Sequence, residues 1–319
     1  MSEVIGIGSA LLDFTYEVDD VILKDLGLKK GTMSLITESG SEKILQKMKE
    51  YPVKVSPGGS AANTMAGIAV LGGNGAFIGK VGNDINGKIY IAETEKFGVK
   101  AHINSTNAMT GHAITFITPD SERTFATNLG AALSLRPDDV SEEAISKSSI
   151  LHVEGYLLEG DLKDASVHAM ELAKKHNVKI SVDLADPSLI ARNLGEFKGI
   201  VRNYADIVFV NEDEAEAFTQ KTGHEALDFI HLFCEVAVVK LGAGGSLIKQ
   251  GDRVHTIEPV KIKVVNTNGA GDMYAAGILY GIAHDIPMER AGKIASYAAA
   301  QVVGQAEARL NERIDVNSI

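Results

Sequence analysis

The chain has 319 residues with 45% hydrophobic content, enough for one large core or two modest ones. A formal net charge of -11 and a sequence pI near 5.3 give no broad positive field, which argues against nucleic acid and anionic membrane surfaces as partners. Cys234 is the only cysteine, so an intramolecular disulfide is excluded, and we expect a cytoplasmic protein.

The chain begins with a predicted strand rather than a targeting segment. The stretch MSEVIGIGSALLDF carries acidic residues early and lacks the basic start of a signal peptide. Residues Val55 to Gly79 are free of charge and long enough to span a membrane. Because Gly72, Gly73 and Gly75 would break a single helix, we predict two buried elements joined by a turn.

A small β lobe is predicted in the first half of the chain. Segments 14–55 and 101–129 contain alternating patterns such as AITFITPD and RTFATN, which are typical of strands with one exposed face. These segments interrupt the α/β rhythm of the rest of the chain. We therefore expect one compact domain, residues 1–319, with an inserted β lid formed by the two segments.

The second half predicts βαβ units. From about Ser149, apolar runs such as ILHVE, VKISVDL and DIVFV alternate with helical stretches at 163–176 and 211–221. That alternation is the signature of a mostly parallel sheet in an α/β protein. Two nearly uncharged helices, Ala270 to Ala283 and Met288 to Val303, must be buried against the sheet or against each other.

Several common chemistries find little support in the sequence. The dipeptide Gly79-Lys80 lacks the preceding glycine of a P-loop and is followed by Val81 instead of Ser or Thr. The dinucleotide fingerprint lacks its third glycine, where Leu11 stands, so an NAD-linked oxidoreductase is a weak alternative. Asp228 occupies the second histidine position of a zinc-protease helix, and no G-x-S-x-G hydrolase elbow occurs.

The strongest functional signal is VVNTNGAGD, residues 264–272, which we interpret as a β-branched strand, a small-residue turn and the start of a buried helix. The N–H groups of Gly269, Ala270 and Gly271 are predicted to bind an anion at the helix start. Asp272 beside them is predicted to be the general base for an attacking hydroxyl. The alternative is a helix N-terminal acid with glycine-rich packing, and spacing alone does not separate the two.

A second signal is SPGGSAAN, residues 56–63, a turn that opens a helix running to about Leu71. Its paired glycines let a substrate approach the backbone. Ser60 is placed to cap the helix, and Asn63 offers a donor and an acceptor to a polyol. A helix cap without a ligand is the alternative interpretation.

Together these segments resemble the ribokinase or PfkB-type carbohydrate kinase family. The similarity rests on GGSAANTMAGIAVLGGNGAFIGKVGND and NTNGAGDMYAAGILYG, and on GSALLDFTYEVDD, GHAITFITPDSERTF and NEDEAEAF. Residues Thr127 to Ala131 and the long segment before Gly58 are most similar to the adenosine kinase subgroup. The resemblance implies a ribokinase-like three-layer α/β sandwich and an ATP-dependent kinase that phosphorylates the primary hydroxyl of a ribosyl-type substrate.

The resemblance also implies a set of acceptor-binding residues: Asp13, Gly59, Ser60, Asn63, Arg123 and Tyr156. Asp13 is expected to hold ribose hydroxyls, with Gly59 and Asn63 completing the sugar pocket. Arg123 is similar to the lid arginine that approaches the transferred phosphate. Tyr156 is expected against the base of the acceptor, with a core tyrosine as the alternative.

On the nucleotide side, the residues implied by the resemblance are Asn211, Glu214, Lys240, Gly242, Gly245 and Thr267. Asn211 and Glu214, three residues apart on one helical face, are similar to a pair that organises water around Mg²⁺ and the ATP phosphates, without a direct metal ligand. The run from Lys240 to Gly245 resembles the glycine-bearing turn beside the nucleotide, and an ordinary β-turn is the alternative.

One residue departs from the family pattern. The family usually has Asp before Thr267, associated with a bound monovalent cation, whereas this chain has Asn266. Asparagine keeps an acceptor oxygen but removes the charge, so we expect weak or absent K⁺ activation.

The identity of the acceptor stays open in the sequence. Adenosine or a related purine nucleoside is the first choice, and a free sugar such as ribose or fructose is the alternative with the same chemistry. A non-catalytic regulator that binds a nucleoside or a sugar is a third hypothesis. Monomer and homodimer are both compatible with the strand edges of the predicted lid.

Overall fold

A computed structural model describes residues 2–120 and 122–319 of the chain. Its strands, numbered in chain order, are β1 (Val4–Ile7), β2 (Leu11–Glu17), β3 (Met33–Leu35), β4 (Lys54–Gly58), β5 (Gly75–Gly82), β6 (Lys100–Thr106), β7 (Gly111–Ile117), β8 (Arg123–Asn128), β9 (Ile150–Glu154), β10 (Lys179–Asp183), β11 (Ile207–Asn211), β12 (Val236–Lys240), β13 (Ser246–Gln250) and β14 (Arg253–Ile257).

The α-helices are α1 (Asp20–Asp25), α2 (Glu38–Lys47), α3 (Ser60–Val70), α4 (Ile85–Lys96), α5 (Glu142–Ser146), α6 (Leu162–Lys175), α7 (Pro187–Arg192), α8 (Leu194–Tyr204), α9 (Glu212–Thr219), α10 (Gly223–His231), α11 (Ala270–Ala283) and α12 (Met288–Val303). The predicted bounds of α11 and α12 are confirmed. None of the helices in the described part of the chain combines the length and the apolarity needed to cross a membrane.

The large sheet has the strand order β14-β13-β12-β11-β10-β9-β1-β5-β6. Strands from β6 through β12 pair in parallel, whereas β13 and β14 form an antiparallel edge. The central strands are rich in Val and Ile and buried along most of their length, as expected for a parallel sheet covered on both faces. The predicted βαβ alternation is confirmed.

Helices cover both faces of the large sheet. Consecutive strand residues alternate between two apolar clusters: Ile150 of β9 belongs to the cluster that contains side chains of α3, α11 and α12, and Leu151 belongs to the cluster with α6 and α8. The predicted three-layer α/β arrangement is therefore confirmed.

The second, small sheet has the order β3-β8-β7-β2-β4. The start of the predicted lid segment 101–129 is β6, and this strand pairs with β5 in the large sheet instead. The prediction of an exposed face is wrong for β7, whose residues from Gly111 to Phe116 are buried. One reason is that Phe116 packs in a cluster with Leu23 of α1 and Ile44 of α2.

Helices α11 and α12 lie very close together because small residues face each other. A Cβ atom on Gly277 would lie 2.4 Å from the Cα atom of Ala295, and one on Gly281 would lie 2.3 Å from the Cβ atom of Ala291. Any larger side chain at these glycines would push the helices apart. This packing holds the second half of α11 tightly against α12.

The strand predicted at Val264 and Val265 is wrong. The preceding strand, β14, ends at Ile257, and the N–H of Val265 donates to the carbonyl oxygen of Val303 at the end of α12, 2.9 Å away. The segment docks on a helix end instead of joining the sheet, so its β-branched residues lie mostly exposed. The predicted turn and buried helix after it are present.

The uncharged segment Val55–Gly79 starts with residues of β4, which were not predicted, and continues with the predicted two buried elements joined by a turn. Helix α3 occupies Ser60–Val70, and β5 starts at Gly75. Between them, the N–H of Gly73 donates to the carbonyl oxygen of Ile68 at 2.9 Å, which closes the end of the helix.

Candidate active site

The turn before α11 presents backbone N–H groups at a helix start. Gly269 is the N-cap residue with φ of 79°, and a Cβ atom there would lie 2.4 Å from the carbonyl oxygen of Ala308, so only glycine fits. The prediction of three available N–H groups needs a correction, because Ala270 donates to the carbonyl oxygen of Thr267 at 3.3 Å. Among the described residues, the N–H groups of Gly269 and Gly271 have no protein acceptor.

Asp272 lies in the first turn of α11 and is held by two side chains from α3. Its Oδ1 accepts a hydrogen bond from Ser60 Oγ at 2.7 Å, and its Oδ2 accepts one from Asn63 Nδ2 at 2.8 Å. Burial raises the pKa of Asp272, and these two hydrogen bonds oppose that rise. The carboxylate is thus fixed in direction and kept more basic than an ordinary aspartate.

The predicted capping role of Ser60 is wrong. Gly59 is the N-cap residue of α3, with φ of 94°, and Ser60 is the first residue of the helix. A Cβ atom on Gly59 would lie 2.1 Å from the carbonyl oxygen of Ser9, so the backbone reaches this conformation only with glycine. The hydroxyl of Ser60 is therefore directed at Asp272 rather than at its own helix.

Arg309 is a site residue that the sequence did not reveal. Its guanidinium is buried, and it donates from Nε to Asn63 Oδ1 at 2.7 Å and from Nη2 to the carbonyl oxygen of Gly58 at 3.1 Å. Since Asn63 Oδ1 accepts from Arg309, the Nδ2 group of Asn63 must face Asp272. The chain Arg309, Asn63, Asp272 thereby fixes the orientation of the amide.

A cavity of about 550 Å³, here called the small-sheet cavity, opens on the face of the small sheet that carries Asp13. It is lined by Asp13, Thr15, Glu17, Pro52, Val53, Lys54, Ser56, Thr115, Ile117, Arg123, Asn266, Asn268, Ala306, Glu307 and Ala308. Burial raises the pKa of Asp13 to about 6, and the guanidinium groups of Arg309 and Arg123 limit the rise.

Asn266 ties the turn to the segment after α12 at the wall of this cavity. Its Nδ2 donates to the carbonyl oxygen of Ala306 at 2.8 Å, and its Oδ1 accepts from the N–H of Asn268 at 2.9 Å. Arg123 Nη2 also donates to the carbonyl oxygen of Ala306, at 3.3 Å. An aspartate at position 266 would have no donor for that carbonyl oxygen.

A second cavity of about 620 Å³, here called the helix cavity, lies on the other side of the same turn. Its polar and small lining residues are Lys240, Gly242, Ala243, Gly245, Lys261, Thr267, Ala270, Gly271, Tyr274 and Ser296. The remainder of the wall is mainly aliphatic, from Pro259, Val260, Ile262, Val264, Ala299, Ala300 and Val303. Both cavities thus border the turn 266–271, whereas Asp272 and its α3 neighbours Gly59, Ser60 and Asn63 are not among the described residues that line either cavity.

Four neighbouring parallel strands each end in a polar residue: Glu154 on β9, Asp183 on β10, Asn211 on β11 and Lys240 on β12. Register pairs Glu154 with Asp183 and Asn211 with Lys240. The carboxyl edge of a parallel sheet is where α/β proteins bind ligands. The sequence carried this signal in the endings of ILHVE, KISVD, IVFVN and VAVVK.

Asn211 and Glu214 form a capping box rather than one helical face. Asn211 is the N-cap residue of α9, and its N–H and Nδ2 groups donate to the two carboxylate oxygens of Glu214, each at 2.7 Å. Burial, followed by the nearby carboxylate of Asp183, raises the pKa of Glu214 to about 7. The pair is thus already satisfied internally and lies beside Lys240.

Glu154 is a second buried residue that we did not predict as part of the site from the sequence. Its two oxygens accept hydrogen bonds from the N–H groups of Ser9 and Ala61, both at 2.8 Å. Burial raises its pKa to about 7. The carboxyl group therefore joins the end of β9 to the loop before β2 and to the start of α3.

Tyr156 is 45% exposed, so the alternative of a core tyrosine is wrong. Its hydroxyl donates to the carbonyl oxygen of Ala185 at 3.4 Å. It is not among the described residues that line either cavity, and its role against a base stays a prediction.

The pattern of the pfkB family carbohydrate kinase matches residues 35–314. The chain belongs to this family. An uncharacterized sugar kinase from Archaeoglobus fulgidus is 30% identical over 76% of this chain and 96% of its own length. The guanosine-inosine kinase of Escherichia coli is 26% identical over 89% of this chain and 77% of its own length.

The crystal structure of adenosine kinase from Sinorhizobium meliloti is similar over 99% of this chain and 98% of that one, with a TM-score of 0.88 and 33% identity. The ribokinase-like fold and the assignment to the family predicted from sequence are therefore confirmed. As a pfkB family member, the chain is an ATP-dependent sugar or nucleoside kinase.

Proposed function

We propose that this pfkB family kinase transfers the terminal phosphate of ATP to the primary hydroxyl of a ribosyl-type acceptor, with adenosine or a related purine nucleoside as the best candidate. The observation that carries the proposal is the position of the turn 266–271. Its residues line both cavities, and the oriented carboxylate of Asp272 follows directly. We therefore propose that two substrates in the two cavities approach each other across this turn, next to Asp272 in the chain.

The small-sheet cavity suits a polyol acceptor. The carboxylate of Asp13 lines the wall of this cavity and can accept hydrogen bonds from two hydroxyls, and Arg123 in the same lining supplies a donor. Gly59, Ser60 and Asn63 are proposed to complete the sugar pocket around Asp272. Tyr156 is proposed to contact the base from outside the cavity.

The helix cavity suits ATP. Its aliphatic wall can take the adenine ring, while Gly242, Gly245 and Thr267 border the phosphate end near the α11 N-terminus. Both carboxylate oxygens of Glu214 are occupied by Asn211, which fits a Mg²⁺ ion held through water and the ATP phosphates rather than by direct ligation. Bound Mg²⁺ would neutralise phosphate charge.

The proposed step is an in-line displacement. The acceptor oxygen forms a bond to the γ-phosphorus, the bond between that phosphorus and the bridging oxygen of ADP breaks, and ADP leaves with the electron pair. Asp272 accepts the proton of the acceptor hydroxyl. The N–H groups of Gly269 and Gly271 are proposed to hold the charge on the transferring group.

A free sugar is the second candidate acceptor. The small-sheet cavity has hydroxyl side chains from Thr15, Ser56 and Thr115, which favour a compact polyol. The volume of about 550 Å³ also leaves room for a larger ligand such as a nucleoside. The likeness to an adenosine kinase over 99% of the chain supports the nucleoside as first choice.

The test is a panel of purine nucleosides, pyrimidine nucleosides and free sugars with ATP and Mg²⁺, read by acceptor-dependent ADP release and by mass of the phosphorylated product. We expect the largest kcat/KM for a purine nucleoside. A larger value for ribose or fructose would overturn the nucleoside assignment and favour the second candidate. No ADP release with any acceptor would contradict the proposed function and favour a non-catalytic binding protein.

A further inference from the structure

Lys240 is the buried cation of the helix cavity. Its Nζ donates to Asp183 Oδ2 at 2.8 Å, with only 15% of the lysine side chain and 8% of the aspartate side chain exposed. The other basic residue that lines this cavity, Lys261, is exposed at its rim. A buried lysine is rare unless it is paired, and burying an ion pair costs desolvation free energy, so a functional role for Lys240 is worth testing.

The ammonium group lies beside the turn 266–271 at the start of α11. A Cβ atom on Gly271 would lie 3.4 Å from Lys240 Nζ, so the ammonium faces the open side of that glycine. An ammonium has three N–H donors, and among the described residues one of them is used, by Asp183. The remaining donors and the N–H of Gly271 are therefore available at one place.

The surroundings keep this lysine protonated. Burial lowers the pKa of Lys240, but the carboxylates of Asp183, Glu214 and Asp272 more than offset that effect, so the pKa is raised. Without the lysine these acidic groups would repel the phosphates of ATP. A fixed ammonium at this position turns an acidic cluster into a site that accepts a polyanion.

From this geometry we propose that Lys240 is a catalytic residue that contacts the migrating phosphoryl group and neutralises charge on it, while Asp183 acts as the positioning residue that fixes the ammonium. The inference rests on the proposed function, and it names the residue that stabilises the charge of the transferring phosphoryl group. A charged donor aimed at the reacting group acts most strongly in the transition state, because charge there is concentrated on the equatorial oxygens.

The chain offers a matched control. Lys80 on β5 forms an ion pair with Asp139 at 2.7 Å, with 14% and 11% of the two side chains exposed, and neither residue lines the small-sheet or the helix cavity. Lys80→Met and Lys240→Met therefore each leave a largely buried carboxylate without its cation. Any general effect of breaking such a pair appears in both variants.

The experiment measures kcat, KM for ATP, and the affinity for ATP, ADP and AMP by calorimetry. We expect Lys240→Met to lower kcat by about 10²–10³-fold and to weaken ATP more than AMP, with Lys240→Arg retaining part of kcat. Lys80→Met should keep kcat and both affinities near those of the unmodified chain. Asp183→Asn should lower kcat less than Lys240→Met, since the ammonium remains but is less well fixed.

A folded Lys240→Met protein with a kcat near that of the unmodified enzyme would overturn the inference. If Lys240→Met alone does not fold, the double variant Lys240→Met with Asp183→Asn removes the unpaired carboxylate and is measured instead. If the unmodified chain phosphorylates no acceptor, the proposed function fails separately. The inference is then decided by binding, and an unchanged ATP affinity in Lys240→Met contradicts it.

Discussion

Replacing Asp272 with Asn separates the basicity of this carboxylate from its structural contacts. Its two oxygens accept from Ser60 at 2.7 Å and from Asn63 at 2.8 Å. The amide of Asn63 cannot turn over, because its oxygen accepts from Arg309 at 2.7 Å. In Asp272→Asn the new amide keeps its oxygen toward Asn63 and directs its NH₂ group at Ser60, whose hydroxyl can rotate to accept.

Both hydrogen bonds thus survive the substitution, each with less charge. A hydrogen bond to a charged group contributes about 1 kcal/mol more than a neutral one, so at most about 2 kcal/mol is lost. Removing a carboxylate whose charged form is disfavoured by burial offsets part of that loss. We expect a small change in Tm and a fall in kcat of about 10²–10⁴-fold, since a neutral amide cannot accept the proton.

The assay is acceptor-dependent ADP release over full ranges of ATP and acceptor, together with a thermal melt. The control is Asp139→Asn, which changes another well-bonded carboxylate that accepts from Lys80 at 2.7 Å but does not lie on α11 or contact α3 side chains as Asp272 does. If Asp272→Asn loses less than about tenfold in kcat while it remains folded, Asp272 is not the general base. A raised KM for the acceptor with unchanged kcat would make it a binding residue.

Three further predictions follow from the contacts around the turn and α3. Asn266→Asp should lower kcat, and KCl but not choline chloride should restore it. The reason is that a cation is then needed between the new carboxylate and the carbonyl oxygen of Ala306. Strong K⁺ activation of the unmodified enzyme would contradict this prediction. Glu154→Gln isolates a carboxyl group whose pKa is raised to about 7. Because the pKa is raised, the contribution of Glu154 to stability is largest at low pH and is lost as the pH rises through about 7. The Tm of the unmodified chain should therefore fall relative to that of the variant between pH 5 and 8, by several degrees for an effect on the order of 3 kcal/mol. A Tm difference that stays constant over this pH range would refute the prediction. Gly59→Ala should destabilise the chain by about 2 kcal/mol or more and raise the KM for the acceptor, since the Cβ atom of the alanine would lie 2.1 Å from the carbonyl oxygen of Ser9. If thermal melts and kinetics match those of the unmodified chain, the loop relaxes and the prediction is wrong.

The parts of the fold that the sequence predicted well depend on local pattern and composition. The ranges of α11 and α12 could be read from long, charge-poor stretches that start at small residues or after Pro287. The strand predicted at Val264 failed for a physical reason. β-branched residues fit a strand only where another strand is free to pair, and here the end of α12 supplies the hydrogen-bond partner.

The site residues that the sequence missed have distant partners. Arg309 contacts Asn63 from 246 positions away, in an irregular segment without periodicity or a motif. Glu154 contacts Ser9 and Ala61 from 145 and 93 positions away. In contrast, Asp272 and Gly269 were found because the helix start and its small residues are adjacent in sequence. Local chemistry was readable, whereas the support that orients it required the fold.

A chain with a net charge of -11 must still bind a polyanion if it uses ATP. Surface charges beyond about 8 Å are largely screened at physiological ionic strength, so the overall charge acts weakly at the site. What acts there is the local arrangement: two N–H groups at the start of α11 that have no acceptor within the described part of the chain, and the ammonium of Lys240 fixed by Asp183. These devices act only at the turn 266–271. The acidic surface therefore does not oppose the proposed function. Anion binding depends on a few groups at the turn, and the effect of removing each side chain on ATP affinity can be measured separately.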